Sequence, residues 1–427
     1  MKILFLTPQV PYPPRQGAAL RNWGIISGLA VRHEVAVLSF LAPSPPLSPL
    51  PGGTEGGERE GEIDVMREVC RVETVQFPAR TFRDRLRDML TTRQPDMALR
   101  LASEPYARRL ADWLANEPFD VVQIGGIEMA PYLDVLDAVR PRPRVVFDNL
   151  NCEYLLQKRA FLTDLRAPVR WLGAAYSFVQ WRRLHRYEAQ VCRRADRVLA
   201  VSDVDAVMLQ ELVPGLDVTV VPNGVDTRAY QSGIRNQKSE IRNPTLVFTG
   251  TMDFRPNVDA VLWFAQKVLP RVQAEVPDVH FFVVGQRPHR RLAGLQSDPA
   301  ITLTGWVEDA RPYIAAAAVY VVPLRIGGGT RLKLLEAMAM SRPVVATSLG
   351  AEGYPVTDGR ELLLADTPAD FATAVVALLR VPERRAELGQ VARAFVEQQY
   401  DWQAIVPRVE AVYASRPNAA HYPPQRT

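Results

Sequence analysis

The sequence predicts an α/β protein made of two Rossmann-like, doubly wound units, each a parallel sheet wrapped by helices. Three observations carry this. Short apolar, β-branched runs recur with helical stretches between them, and the pattern starts afresh at Leu246. The runs are apolar throughout rather than alternating, which suits strands buried on both faces. A chain of 427 residues also exceeds what one compact core fills.

The first half reads in order. Residues 3–6 form a strand that stops at Pro8, and a proline-rich turn leads to Gly17 and a helix. A dinucleotide-binding dehydrogenase would place GxGxxG at this turn, and a single glycine stands there instead. Residues 35–40 are the second strand. Residues 42–61 are rich in Pro, Ser, Gly and Glu and are expected to be an insertion without order. Strands at 72–77, 119–124 and 144–147 follow, with a helix over 98–116. The strand at 144–147 delivers Asp148, Asn149, Asn151 and Glu153 at its carboxyl end, where open parallel sheets gather ligands. A capped helix start explains the same residues equally well.

Residues 154–194 read as one long helical region with aromatics beside arginines. Such a helix suits a membrane surface, and a peripheral contact on the inner face stays open. The preferred reading is an amphipathic helix with one core face. After a strand at 197–201, the Asp203–Val–Asp205 triplet could bind Mg²⁺, but Ser202 three residues before Asp205 makes a capping box the better reading. A strand at 218–221 closes a first domain of residues 1–228.

Residues 229–244 are polar and unpatterned and serve as a linker. The second domain, 245–399, has strands at 246–249, 280–284, 301–305, 319–324 and 344–346. Gly250, Gly285 and Gly305 end strands, where a ligand needs close backbone approach. Helices are expected over 368–396, and a last helix over 400–416. The fifth unit of this domain organises the chain: a strand at 319–324, the glycines Gly327, Gly328 and Gly329, then a helix from Arg331 towards Pro343. A glycine loop feeding a helix N-terminus presents N–H groups and a favourable dipole to an anion. Arg331 and Lys333 sit where cations are unfavourable unless an anion is present, which points to a phosphate.

Composition narrows the function classes. With 47% hydrophobic and 23% charged residues and a net charge of +4, the chain has an ordinary globular make-up. It shows no zinc spacing and no ribonucleoprotein signature, so no nucleic-acid partner is expected. Its three cysteines are distant and odd in number, which excludes a disulfide framework and a CxxC metal site and fits the cytoplasm. The N-terminal apolar run is too short for a signal peptide, and no run reaches the roughly eighteen residues of a spanning helix.

At this point the residues resemble the retaining glycosyltransferases of family 4, also called group 1, which have the GT-B fold. The landmarks are Val-Pro-Asn-Gly-Val-Asp at 221–226, Phe-Thr-Gly-Thr at 248–251, Phe-Val-Val-Gly at 282–285, Leu-Thr-Gly-Trp-Val at 303–307 and the stretch 329–343. The resemblance implies two domains facing a cleft, a nucleotide-diphosphate sugar on the second domain and a glycan, lipid-linked or small-molecule acceptor on the first. It implies a last helix that crosses back to the first domain, and no cofactor or metal. The donor would lie at Gly17, Gly250, Thr251, Gly285, Val307, Gly328, Gly329, Thr330, Leu332 and Glu336, with Glu336 on the ribose hydroxyls. Lys333 and Arg331 would serve catalysis through the diphosphate. Glu128 would orient the acceptor, because the histidine usual at that place is absent. Asp148, Asn149, Asn151 and Glu153 would lie on the acceptor side.

Two departures stand out. The family's first glutamate would fall at Gly328, and the arginine usual after Gly250 is replaced by Thr251, Met252 and Asp253. They leave two alternatives: a non-catalytic sugar-nucleotide-binding component of a polysaccharide assembly complex, and a sugar-nucleotide epimerase of the same fold.

Overall fold

The computed structural model describes residues 1–14, 17–41, 55–165, 171–231, 244–327 and 329–415. The chain divides into two compact units, Met1–Pro222 with the chain from Ile405 onward, and Asn223–Ala404. The division falls at Pro222 rather than after residue 228 for a local reason. The Val225 N–H donates to the Tyr400 carbonyl at 2.9 Å, and the Thr227 hydroxyl donates to Asp401 at 2.6 Å. Most of the expected linker, residues 232–243, lies outside the described residues, as do Gly328 and residues 42–54.

The first unit is built on seven parallel strands in the order β3-β2-β1-β4-β5-β6-β7. These are β1 (Lys2–Thr7), β2 (Glu34–Leu41), β3 (Arg71–Gln76), β4 (Val121–Gly125), β5 (Arg144–Asn149), β6 (Arg197–Ala200) and β7 (Val218–Val220). Leu4, Leu6, Leu38, Val122, Ile124, Val145 and Phe147 are fully buried, as apolar strands covered on both faces must be.

The second unit holds six parallel strands in the order β10-β9-β8-β11-β12-β13. They are β8 (Thr245–Thr249), β9 (His280–Val284), β10 (Ile301–Gly305), β11 (Val319–Val322), β12 (Val344–Ala346) and β13 (Leu363–Leu364). The two-residue β13 was not expected, because so short a pair carries no pattern.

Three helical stretches differ from expectation. Residues 98–116 are two helices, Asp96–Arg100 and Glu104–Asn116, with Ser103 capping the second through the Tyr106 N–H. The helices expected over 368–396 are two, the second starting at Pro382, which cannot continue the first. Residues 55–61, expected without order, open the helix Glu55–Val69, which is anchored further along by fully buried Met66. The stretch 154–194 holds the helices Glu153–Leu165 and Trp171–Arg194. Ser202 caps the helix Asp203–Leu212 by accepting from the Asp205 N–H at 3.2 Å, so this aspartate pair ends in capping.

One buried network ties the first unit together. Arg21, 1% exposed on the helix Gly17–Ala30, meets fully buried Asp148 at the end of β5. Its Nη2 donates to Oδ1 at 2.7 Å and its Nε to Oδ2 at 2.9 Å, while Nη1 donates to the Val221 carbonyl at 2.8 Å. Gln123 of β4 donates to Asp148 at 3.0 Å and accepts from the Tyr413 hydroxyl on the helix Trp402–Ala414. The same last helix packs so closely that a Cβ on Gly28 would lie 2.4 Å from Val406 Cγ2. Removing one partner of a buried ion pair strands the other charge. Asp148→Ala should therefore cost about 3–5 kcal/mol in urea unfolding; a loss below about 1 kcal/mol would show that Arg21 finds relief elsewhere.

Candidate functional site

The carboxyl end of the second sheet is shaped by two glycines. Gly250 follows β8 at φ +154° and Gly285 follows β9 at φ +151°. A Cβ on Gly285 would lie 1.7 Å from the Gly250 carbonyl oxygen, so no side chain fits there. A Cβ on Gly250 would lie 2.6 Å from Asn257 Nδ2 and 2.7 Å from Lys333 Nζ. The bare backbone thus leaves room for an amide and an ammonium directly beneath it.

From β11 the chain passes Gly327 at φ +114° and Gly329 at φ +77°, a path that favours glycine. The helix then runs Leu332–Ala339 with Arg331 as its N-cap, one residue later than the sequence suggested. Leu334, Leu335, Ala337, Met338 and Ala339 sink into the core, which fixes the rotation of the helix and turns Lys333 and Glu336 to the same partly buried side.

Lys333 is held by three hosts. Its Nζ donates to the Thr249 carbonyl at 2.6 Å and to Asn257 Oδ1 at 2.9 Å, and it lies 4.1 Å from the centre of the Phe248 ring. Burial pushes its pKa down to about 7; Arg331 adds to that shift and Glu336 opposes it. Glu336 accepts from the Tyr230 hydroxyl at 3.1 Å, and burial raises its pKa against the pull of Tyr230 and Lys333. Arg331 is buried, and its Nη1 donates to the Gly329 carbonyl. Thr330 Oγ1 accepts from Asn223 at 2.9 Å. The Lys333 ammonium thus already has partners within the second unit.

Two cations, glycine backbone and a helix start converge here, which is the chemistry of a phosphate cradle. A carboxylate one turn along the helix can accept hydroxyl donors. Thr251 contributes a carbonyl that accepts from Asn257 at 2.9 Å. Val307 and Leu332 pack half-buried against the core, and Gly17 opens a helix of the first unit. Asn257, Tyr230, Thr249 and Asn223 were not foreseen. Tyr230 lay inside the expected linker, Asn257 carries no motif, and Asn223 and Thr249 stand in landmark stretches that gave them no role.

In the first unit Asp148 is corrected from an acceptor contact to the buried partner of Arg21, with both oxygens engaged. Asn149, 2% exposed, donates to Glu188 at 2.7 Å. Fully buried Glu188, also unforeseen, accepts the Tyr154 N–H at 2.9 Å and the Glu153 N–H at 3.2 Å, closing the start of the helix Glu153–Leu165. Burial raises the Glu188 pKa to about 7. Glu153, contacted by Asn151 at 3.3 Å, is pushed up to about 8 by burial and then by Glu128 and Glu188. Glu128 accepts from Arg100 at 2.6 Å. Glu128, Asn151 and Glu153 therefore share one neighbourhood at the carboxyl ends of β4 and β5. No group of three or more His, Cys, Asp or Glu among the described residues could hold a metal ion.

Comparison with known proteins follows the same division of the chain. Residues 16–229 match the model for Glycosyltransferase Family 4, and residues 243–381 match that for Glycosyl transferases group 1. Phosphatidyl-myo-inositol mannosyltransferase of Mycolicibacterium smegmatis is 32% identical over 222 residues, 50% of this chain and 56% of that protein. The chain spans about half the length of the curated relatives it matches. Among solved structures, HepE of Anabaena in complex with UDP and glucose aligns with a TM-score of 0.64 at 17% identity, covering 97% of this chain and 100% of that one. Sucrose-phosphate synthase of Thermosynechococcus elongatus aligns at 0.67 and 17% identity, covering 97% and 98%. This likeness shows the fold, two parallel-sheet α/β units of the GT-B class.

The Lys333 site makes a pH prediction. Its folded value of about 7 lies below the ordinary 10.5, so between those values the unfolded chain binds more protons and stability rises with pH. The wild type should gain stability from pH 7 to pH 10 in urea unfolding relative to Lys333→Met, which lacks the titrating group. Parallel pH profiles for the two proteins would refute the buried ammonium.

Proposed function

Because this chain belongs to glycosyltransferase family 4, the group 1 glycosyltransferases, we propose that it moves a sugar from a nucleoside-diphosphate sugar to a hydroxyl acceptor. The donor's diphosphate lies at the cradle of Gly250, Gly285, Gly329, Thr330, Arg331 and Lys333, and Glu336 takes the ribose hydroxyls. One observation carries the reading: a half-buried ammonium set beneath a glycine whose Cβ would lie 2.7 Å from it, one turn before a half-buried carboxylate. A relative named as a mannosyltransferase and a structural neighbour solved with UDP and glucose support a nucleotide-linked hexose as donor.

Chemistry follows from charge. The leaving group is a nucleoside diphosphate, and negative charge grows on its bridging oxygen as the sugar's C1–O bond breaks. Lys333 and Arg331, with the glycine amides and the start of the helix Leu332–Ala339, oppose that charge where water screens poorly. These fixed cations supply what a divalent ion would, so transfer proceeds without metal. On the first unit, Glu128 and Glu153 receive a glycan or lipid-linked acceptor. Glu128, kept beside Arg100, accepts a hydrogen bond from the acceptor hydroxyl. The acceptor hydroxyl attacks C1 from the face the diphosphate leaves and passes its proton to the departing oxygen, with retention of configuration, as in the retaining enzymes this chain resembles.

The test is calorimetric. Glu336→Ala should weaken UDP or GDP binding by about 1.5–3 kcal/mol, the scale of a hydrogen bond to a charged group. Lys333→Ala should penalise the diphosphates while leaving uridine or guanosine binding unchanged. Wild-type affinity of both variants for UDP and GDP would place the donor elsewhere, and binding without any sugar transfer to glycan or lipid acceptors would mark a binding component.

A further inference from the structure

The amino end of the first sheet carries a polar cavity of about 490 Å³, at the opposite end of β4 and β5 from Glu128 and Glu153. Asp120 and Arg144 stand side by side on its wall. They lead into β4 and β5, and the Arg144 N–H donates to the Asp120 carbonyl at 3.1 Å. Arg142, Asp196 and Tyr413 line the cavity too. A volume of this order suits a small metabolite.

Two of these charges are consumed by the fold. Arg142 donates to Asp196 at 2.6 Å and to Asp137 at 3.0 Å, and Asp196 also accepts the Val145 N–H at 2.7 Å. Arg144 is different. It gives the protein only Nη1, which donates to the Tyr413 carbonyl in the last turn of the helix Trp402–Ala414. That capping contact accounts for one side of the guanidinium and leaves the other. Nε is buried without a hydrogen-bond partner, and Nη2 has none among the described residues. The Nε–Nη2 edge is a fork that grips a carboxylate through two parallel bonds. Elsewhere in this unit it does so. Arg21 holds Asp148 through Nε at 2.9 Å and Nη2 at 2.7 Å, and Arg32 holds Glu410 at 3.0 Å and 2.7 Å.

Asp120 is the counterpart. It is exposed, and its Oδ2 accepts the Lys2 N–H at 2.7 Å. Its side chain pairs with no cation among the described residues, Arg144 included, although the two backbones are bonded. Opposite charges that line one cavity without meeting match the two ends of a ligand. We propose that this cavity binds a small organic acid, its carboxylate on the Nε–Nη2 edge of Arg144 and a hydroxyl or ammonium donor on Asp120. A phosphate dianion fits less well, because Asp120 and Asp196 both repel it. The site is remote from the proposed transfer chemistry and does not depend on that reading. Tyr413 ties it to the fold, since its carbonyl takes Arg144 while its hydroxyl donates to Gln123, the partner of Asp148. A bound acid therefore fastens the last helix to the first sheet.

Thermal melting and calorimetry of the full chain test this, with D-glucuronate as a hydroxy acid and L-serine as an amino acid. At about ten times its dissociation constant, the matching acid should raise the melting temperature by about 2–4 °C. D-Glucose lacks the carboxylate and acetate lacks the second donor, so each should bind about tenfold more weakly or worse. Arg144→Lys keeps a charge that can cap Tyr413 but loses the fork, and should weaken binding about tenfold. Asp120→Asn, exposed and nearly isosteric, should keep the unliganded melting temperature and weaken the acid severalfold. Should Arg144→Lys fail to fold, the Asp120→Asn result decides alone. Failure of both acids to bind overturns the inference, and so does wild-type affinity in either folded variant. Acetate binding as tightly as the two acids overturns the two-ended ligand.

Discussion

The second unit depends on one constraint: the Gly250 backbone must leave space for the Lys333 ammonium. The carbonyl of Thr249, the amide of Asn257 and the ring of Phe248 surround that charge, and a side chain at position 250 would strike both the amide and the ammonium. Gly285 closes the arrangement from the next strand, against the Gly250 carbonyl. A cation confined in this way cannot relax into water, and burial draws its pKa far below the ordinary value. Such a site resists a vacant charge and favours an arriving anion. The strand ends, the glycine loop and the helix Leu332–Ala339 all take their positions around it.

The first unit solves a related problem in the opposite sense. Arg21 and Asp148 are both buried, and their charges are consumed within the fold by each other, by the chain end at Val221 and by Gln123. Glu188 likewise spends its oxygens on the start of the helix Glu153–Leu165. What remains partly accessible at the ends of β4 and β5 is Glu128, Asn151 and Glu153, a set that can meet hydroxyl groups without breaking the core.

Much of this was legible in the sequence. The buried strands announce themselves as apolar runs, and glycines after strands mark backbone contacts that tolerate no Cβ, as Gly250 and Gly285 do. Lys333 was visible because it sits at a helix start after a glycine loop, and Glu336 because it matches a residue of the family the chain resembles. Other features could not be read. Asp148 belongs to the residue types of an acceptor site, and nothing local reveals that distant Arg21 occupies it. Asn257 and Tyr230 reach the site through tertiary packing and carry no motif. The pair Leu363–Leu364 is too short to show a period, and the break between the helices at Leu101–Ser103 is set by a serine cap that the apolar pattern runs straight past.

The central claim is that Lys333, its pKa drawn down to about 7 by burial, is held as a cation when diphosphate enters the cradle. Calorimetry of UDP and GDP binding at pH 8, in buffers of different ionisation heat, counts the protons taken up. Anion binding should raise the Lys333 pKa and draw in close to about one proton per site, and Lys333→Met should draw in none. Binding without proton uptake, or equal uptake in the variant, would contradict the account.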